Sequence, residues 1–174
     1  MSASRRRETK ETCIEVRLEV EGQGRVQADT GVPLLNEILS FLAWGGELDL
    51  EVKARGDLET GDHHTVEDTA ITLGSLLSQE IKKGIGSSSV PAGSSLARAA
   101  VRFGQAGYQG SFHIEKQMLE GMSLDNFSHF LRALAYNGGF NLFISADGGD
   151  DRSRIEAMSL ALGRAIKKAA KNEI

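Results

Sequence analysis

Two stretches of this chain run in parallel: Leu48–Gly74, LDLEVKARGDLETGDHHTVEDTAITLG, and Phe140–Gly163, FNLFISADGGDDRSRIEAMSLALG. Each opens with alternating apolar residues, crosses a polar, glycine-bearing loop and enters a segment of helical periodicity. Glu67 and Glu156 correspond, and each is followed seven residues later by a glycine, Gly74 and Gly163. Where the first copy has His63 and His64, the second has Arg152 and Ser153. The repeat predicts two halves of like construction, of which one keeps an imidazole pair at a helix start.

Working outward, Thr12–Glu21 alternates in polarity and reads as a strand, with a turn at Gly22–Gly24 and a second strand near Arg25–Ala28. Pro33 can open a helix reaching about Trp44, whose Leu34, Leu35, Ile38, Leu39 and Leu42 form one apolar stripe. Gly45-Gly46 stops it, Leu48–Val52 is a strand, and a long helix runs from about His63 to Lys82. The second half repeats the order: strands at 96–103 and 108–115, a helix over Ser123–Tyr136, a strand over Phe140–Ala146 and a helix over about Arg152–Ala170. Gly84–Ser95 carries five serines and little apolar pattern, and reads as the connection between halves. The expected fold is α+β with internal duplication, divided as 1–86 and 87–174 within one compact domain. Sheets whose one face is covered by helices leave the halves to pack on each other or on partners.

Composition narrows the function classes. A net charge of −4 argues against a wholly basic nucleic-acid-binding surface. Arg5–Arg7 and the lysines at 167, 168 and 171 read as solvated clusters. One cysteine, Cys13, excludes an intrachain disulfide framework, and the alternation around it suits a strand thiol. No apolar run reaches the length of a membrane span, and the polar segment MSASRRRETKET lacks the apolar core of a secretory signal. The expectation is a cytoplasmic protein binding neither nucleic acid nor membrane.

The chemistry concentrates at Asp62–Asp68. On a helix, Glu67 neighbours both His63, four residues back, and His64, three back. Two imidazoles and a carboxylate suit zinc, manganese, iron or nickel better than calcium or magnesium. Adjacent histidines diverge by about 100 degrees, so they serve two metals, or one ligates while the other donates a hydrogen bond. The same residues also suit a helix start without metal, with Asp62 as N-cap and Glu67 and Asp68 favouring the dipole. His113 stands alone, and His129 reads as a packed or interfacial side chain.

The strings Arg7-Glu8-Thr9-Lys10-Glu11-Thr12, Thr30-Gly31, Gly56-Asp57-Leu58, His63-His64-Thr65-Val66-Glu67-Asp68, Leu73-Gly74, Glu156-Ala157 and Arg164-Ala165 occur in this order over nearly the full length. In them the chain resembles imidazoleglycerol-phosphate dehydratase, an enzyme of histidine biosynthesis. The resemblance implies a duplicated two-half fold of the ribosomal protein S5 domain 2-like kind. It implies homo-oligomers built from trimers into 24-subunit shells, with two Mn2+ per site held by adjacent subunits. It also implies a metal-dependent carbon–oxygen lyase that removes water from imidazoleglycerol phosphate. Residue by residue, it assigns acid–base or catalytic roles to Glu11, Glu67 and Glu156, and metal ligation to His63, His64, Glu67 and Glu156.

The departures from that pattern are equally specific. Family histidines are replaced by Glu37, Gly45, Phe143, Arg152 and Ser153, leaving Glu37 as a substitute carboxylate ligand. The phosphate-binding strings are altered at Gly84–Ser87, Pro91–Leu96, Arg102–Ala106 and Leu160, so that Arg152 and Arg154 stand as the replacement phosphate contacts. The leading expectation is a diverged homologue that has lost ordinary dehydratase activity and binds one Mn2+ rather than two, or none. The alternatives are an active dehydratase rebuilt around Glu37, Asp150, Asp151 and either arginine, and a structural protein without metal.

Overall fold

The structure, a computed structural model, describes residues 1–172. Its elements in chain order are β1 (Ala3–Glu8), β2 (Thr12–Glu19), β3 (Val26–Asp29), α1 (Pro33–Gly46), β4 (Asp49–Gly56) and α2 (His63–Glu80). There follow β5 (Gly84–Ala92), β6 (Ser95–Phe103), β7 (Gly107–Ser111), the short hairpin β8 (Met118–Leu119) and β9 (Met122–Ser123), α3 (Asp125–Gly138), β10 (Phe140–Gly148) and α4 (Asp151–Lys171). The first sheet has strand order β1-β2-β4-β3 and the second β5-β6-β10-β7. In both, the last-named strand pairs parallel with its neighbour and the other pairings are antiparallel. The duplication read from the sequence is therefore a duplication of topology.

Alternation sets the two faces of each sheet. Ile14, Val16 and Leu18 are buried on β2, and Ala97, Ala99, Val101 and Phe103 on β6. These inward faces rest on the helices, while Glu15 and Arg17, or Arg98 and Arg102, point out to solvent. The helices do not pair within their own halves. Helix α1 packs on α4 and α2 on α3, so each contact joins one half to the other.

Glycines let those helices meet backbone to backbone. A Cβ at Gly74 would lie 2.9 Å from the amide nitrogen of Gly138 and the carbonyl oxygen of Leu134. One at Gly163 would overlap the Leu42 carbonyl oxygen and lie 2.7 Å from the Gly46 amide nitrogen. The repeated Leu-Gly pairs are thus the crossing points of the two halves. Gly45 and Gly46 are the end of α1 rather than its stop; the left-handed terminating residue is Glu47, at φ 51°.

Three segments differ from expectation. Residues 3–8, read as part of a polar tail, form edge strand β1, where Arg7 reaches back to Asp68 at 3.3 Å. Gly84–Ser95, read as a connection, forms β5 and the start of β6. The reason is packing. Strand β5 lies directly on α4, so Gly84 and Gly86 have no room for a Cβ against the carbonyls of Ala169 and Ala165. Ser88 donates to the Ala161 carbonyl at 2.6 Å. Small residues take the positions where an apolar alternation would otherwise announce a strand. The β8–β9 hairpin, finally, had no signal in the sequence.

No helix among the described residues is long and apolar enough to cross a membrane. Replacing Gly163 by Ala should lower stability by about 1–3 kcal/mol through forced separation of α1 and α4. A shift in the urea midpoint at unchanged slope would register it.

Candidate functional site

Helix α2 begins where β4 ends, and one contact fixes that junction. A Cβ at Gly56 would overlap Oγ1 of Thr65, so the glycine of Gly56-Asp57-Leu58 is required by the helix that carries His63 and His64. Asp68, one turn further, accepts from Thr12 Oγ1 at 2.6 Å and pairs with Arg7, tying α2 to the first two strands. Asp62 occupies the N-cap position but makes no side-chain cap. Its Oδ2 instead accepts from the Ser123 amide at 3.2 Å and from Asn126 Nδ2 at 2.9 Å, both in the second half.

The imidazole pair sits at this junction, half-exposed. His63 Nε2 faces Glu67 Oε2 at 3.2 Å, and His63 Nδ1 faces Asn126 Oδ1 at 2.9 Å. The His64 ring lies edge-on to His63, with ring centres 5.9 Å apart. His129, on α3, lies edge-on to the other side of His63 at 5.4 Å. Neither Asn126 nor His129 was legible as a partner of His63, because each lies more than sixty residues away in the other half.

The second locus follows from the repeat. Glu37 and His129 are both the fifth residue of 14-residue helices, counting from Pro33 and from Asp125. Arg152 aligns with His63. The contact His63–His129 across α2 and α3 therefore corresponds to Arg152–Glu37 across α4 and α1, and the second is an ion pair. Arg152 Nη2 donates to Glu37 Oε1 at 2.8 Å, and Nη1 donates to Glu120, at the turn of the β8–β9 hairpin. Arg152 holds the Glu37 carboxyl below the usual carboxylate range, and Glu37 in turn raises the guanidinium. Glu37 Oε2 is shut from solvent and has no hydrogen-bond partner among the described residues. Glu156, on the next turn of α4, is half-buried beside Arg152 and adds to the field that holds its charge.

The other candidate residues have defined positions. Arg154 is largely buried and donates to the carbonyls of Gly148, Gly149 and His113 at 2.7, 2.8 and 3.0 Å. Asp150 caps α4, accepting from the Ser153 amide at 2.8 Å, and that hydrogen bond lowers its pKa. Asp151 is buried and accepts from the amides of Glu115 and Lys116 at 2.9 and 2.8 Å. Glu11 is exposed in the turn before β2, where its carbonyl accepts from the Asp57 amide at 3.1 Å. Phe143 points outward from β10 and is 55% exposed, on the face of the second sheet turned away from the helices. At Gly45 a Cβ would overlap the Leu160 carbonyl oxygen, so a histidine there would require α1 and α4 to move apart.

Within one chain these side chains do not complete a manganese pair of the implied kind. Among the described residues, no group of three or more His, Cys, Asp or Glu is arranged to hold a metal ion. At the α1–α4 locus the carboxylate of Glu37 already faces a permanent cation. At the α2–α3 locus His63 Nε2 and Glu67 Oε2 have a spacing compatible with two neighbouring ligand positions. His64 lies beside them without completing a group of three, and further donors would have to come from another chain.

Fold and site together define an internally duplicated α+β protein of the ribosomal protein S5 domain 2-like class, with a histidine–carboxylate centre at a helix start. The profile of the imidazoleglycerol-phosphate dehydratase family matches residues 30–166. The chain is 38% identical to the imidazoleglycerol-phosphate dehydratase of Methanothermobacter thermautotrophicus, over 96% of this chain and 89% of that protein. It is 40% identical to that of Desulforudis audaxviator, over 95% and 88%. Among solved structures, the Staphylococcus aureus imidazoleglycerol-phosphate dehydratase superposes with a TM-score of 0.82 at 26% identity, over 97% of this chain and 98% of that one. The chain belongs to the imidazoleglycerol-phosphate dehydratase family.

Because Arg152 depresses the Glu37 pKa, the pair stabilises the fold above the ordinary glutamate pKa. That contribution is lost as pH falls through the depressed value. Both side chains are more than a third exposed, so screening limits the pair to about 1 kcal/mol or less. Glu37→Gln should therefore flatten the acid limb of a stability-versus-pH curve while leaving stability near neutral pH within that margin. Chemical denaturation at several pH values would measure both.

Proposed function

We propose that this chain is a family member that has lost ordinary imidazoleglycerol-phosphate dehydratase activity and retains at most one divalent-metal locus, at His63, His64 and Glu67. The observation that carries this reading is the guanidinium of Arg152 between Glu37 and Glu120. A guanidinium cannot be deprotonated to vacate its charge, and a divalent cation beside it would meet like-charge repulsion. The closed approach at Gly45 supports the same reading, because it removes the volume a further ligand would need. Arg154 is spent on three backbone carbonyls, which leaves few free donors for a phosphate. If Mn2+ is held at the first locus, the metal supplies Lewis acidity toward an imidazole ring. His63, His64 and Glu67 would hold it, with Glu156 and other donors coming from elsewhere in an assembly.

A second reading, the active dehydratase, is favoured by the comparisons. Relatives 36–40% identical over nearly the whole chain carry that name, and Glu11, His63, His64, Glu67 and Glu156 remain in place. Kinship argues for activity, and side-chain geometry at the second locus argues against it. In either reading the protein is a cytoplasmic homo-oligomer, trimer-based and extending to 24 subunits. Support comes from the outward face of the second sheet, where Ile85, Leu96 and Phe143 are each exposed.

Purified protein assayed on imidazoleglycerol phosphate with added Mn2+, beside an active family enzyme, should show no turnover above background. Clear turnover that disappears in Glu67→Ala would establish the second reading and sink the first. Binding of Mn2+ should follow separately: calorimetry on His63→Ala should show at least a ten-fold loss of affinity if the first locus holds metal. Unchanged binding would remove His63 from the site.

A further inference from the structure

The ring of His63 stands between two acceptors. On one side is Asn126 Oδ1 at 2.9 Å and on the other Glu67 Oε2 at 3.2 Å. A neutral imidazole has one N–H and can satisfy only one of them. Which one it satisfies decides whether Nε2 offers a lone pair to a ligand or spends itself on Glu67.

The orientation of the Asn126 amide is fixed from behind. Its other end lies 2.9 Å from Asp62 Oδ2, and a carboxylate accepts only, so Nδ2 must face Asp62 and Oδ1 must face His63. Asp62 is itself anchored by the Ser123 amide at 3.2 Å. Asn126 is 6% exposed, whereas the Glu67 side chain is 43% exposed. Leaving the buried amide oxygen without a donor costs its desolvation, while the exposed carboxylate takes water in place of the ring. The balance gives the proton to Nδ1.

We propose that Asn126 is the positioning residue of the His63–Glu67 centre. It holds His63 as the Nδ1–H tautomer, with Nε2 and the Glu67 carboxylate presented together as a pair of acceptors for one cationic or hydrogen-donating ligand atom. The device spans the two halves, since Asp62 and His63 begin α2 while Asn126 lies on the first turn of α3. It also belongs to this locus alone. The residue matching Asn126 in α1 is Leu34, the second residue of its helix as Asn126 is of α3, and Leu34 is buried among apolar neighbours. The Arg152–Glu37 pair needs no such orientation, because a guanidinium presents the same donors whatever lies behind it. That the pair of acceptors takes a metal rests on the proposed function; the tautomer does not.

The test is 15N magnetic resonance of histidine-labelled full-length protein at a pH where the rings are neutral. The chain has four histidines, so single His→Gln variants assign the signals. His63 should appear as the Nδ1–H tautomer in the native protein. In Asn126→Leu it should turn over to Nε2–H, donating to Glu67, and affinity for Zn2+, used as the probe ion, should fall about ten-fold. The native tautomer is read without any change at Asn126, which covers the case in which the leucine variant fails to fold. A native Nε2–H ring, or an unchanged tautomer in Asn126→Leu, overturns the proposal. Absence of Zn2+ binding to native protein whose ring is Nδ1–H would sink the metal reading and leave the positioning role standing.

Discussion

The governing constraint in this molecule is the approach of helices from opposite halves. At Gly74 on Gly138, and at Gly163 on Gly46, the backbones are so near that a single Cβ has no ordinary place. Each half is a sheet with one face covered by two helices, and neither helix pair closes its own half. The apolar stripes of α1 and α2 find their partners only on α4 and α3. A half standing alone would expose those stripes, so folding and joining of the halves are one event. The same approach brings the start of α2 beside the start of α3, and the start of α4 beside α1, which is where His63, His64, Glu67, Glu37, Arg152 and Glu156 lie.

Those two junctions began from one repeated unit and now differ in kind. At the first, His63, His64, His129 and Glu67 form a half-exposed cluster of imidazoles with one carboxylate. At the second, Arg152 lies between Glu37 and Glu120. The exchange is coupled. A lone glutamate at position 37 would bring a partly buried carboxylate without a donor, and a lone arginine at 152 would bring an unpaired cation. Together they form an exposed-edge ion pair whose net stabilisation is small. Its consequence is chemical: it fixes a positive charge in the place where the family resemblance implies a metal ligand.

Much of this was legible beforehand. Pro33 at a helix start, the alternation of Ile14, Val16 and Leu18, and the paired Glu–Gly spacings placed most helices and strands and exposed the duplication. What failed has a physical cause in each case. Strand β5 was hidden because its inward residues are Gly84, Gly86 and Ser88, chosen for contact with the backbone of α4 rather than for apolar burial. Edge strand β1 was hidden because three arginines mask its alternation. The glycines at 45 and 46 looked like a helix stop because glycine marks both chain reversal and close packing, and sequence does not separate the two.

The sequence alone determined the class of fold, the duplication, the family and the residue types at the helix starts, because periodicity and motif order are properties of the chain itself. Tertiary structure decided what those residues face. Arg154, expected at a phosphate, binds three carbonyls; Asp62, expected as a cap, reaches across to Asn126; Arg152 finds Glu37. The Asp62–Asn126 and Arg152–Glu37 pairings join residues far apart in the chain and in opposite halves. Hydrogen bonds and ion pairs act over a few ångströms, so only the packing of one half on the other selects among the partners the sequence permits.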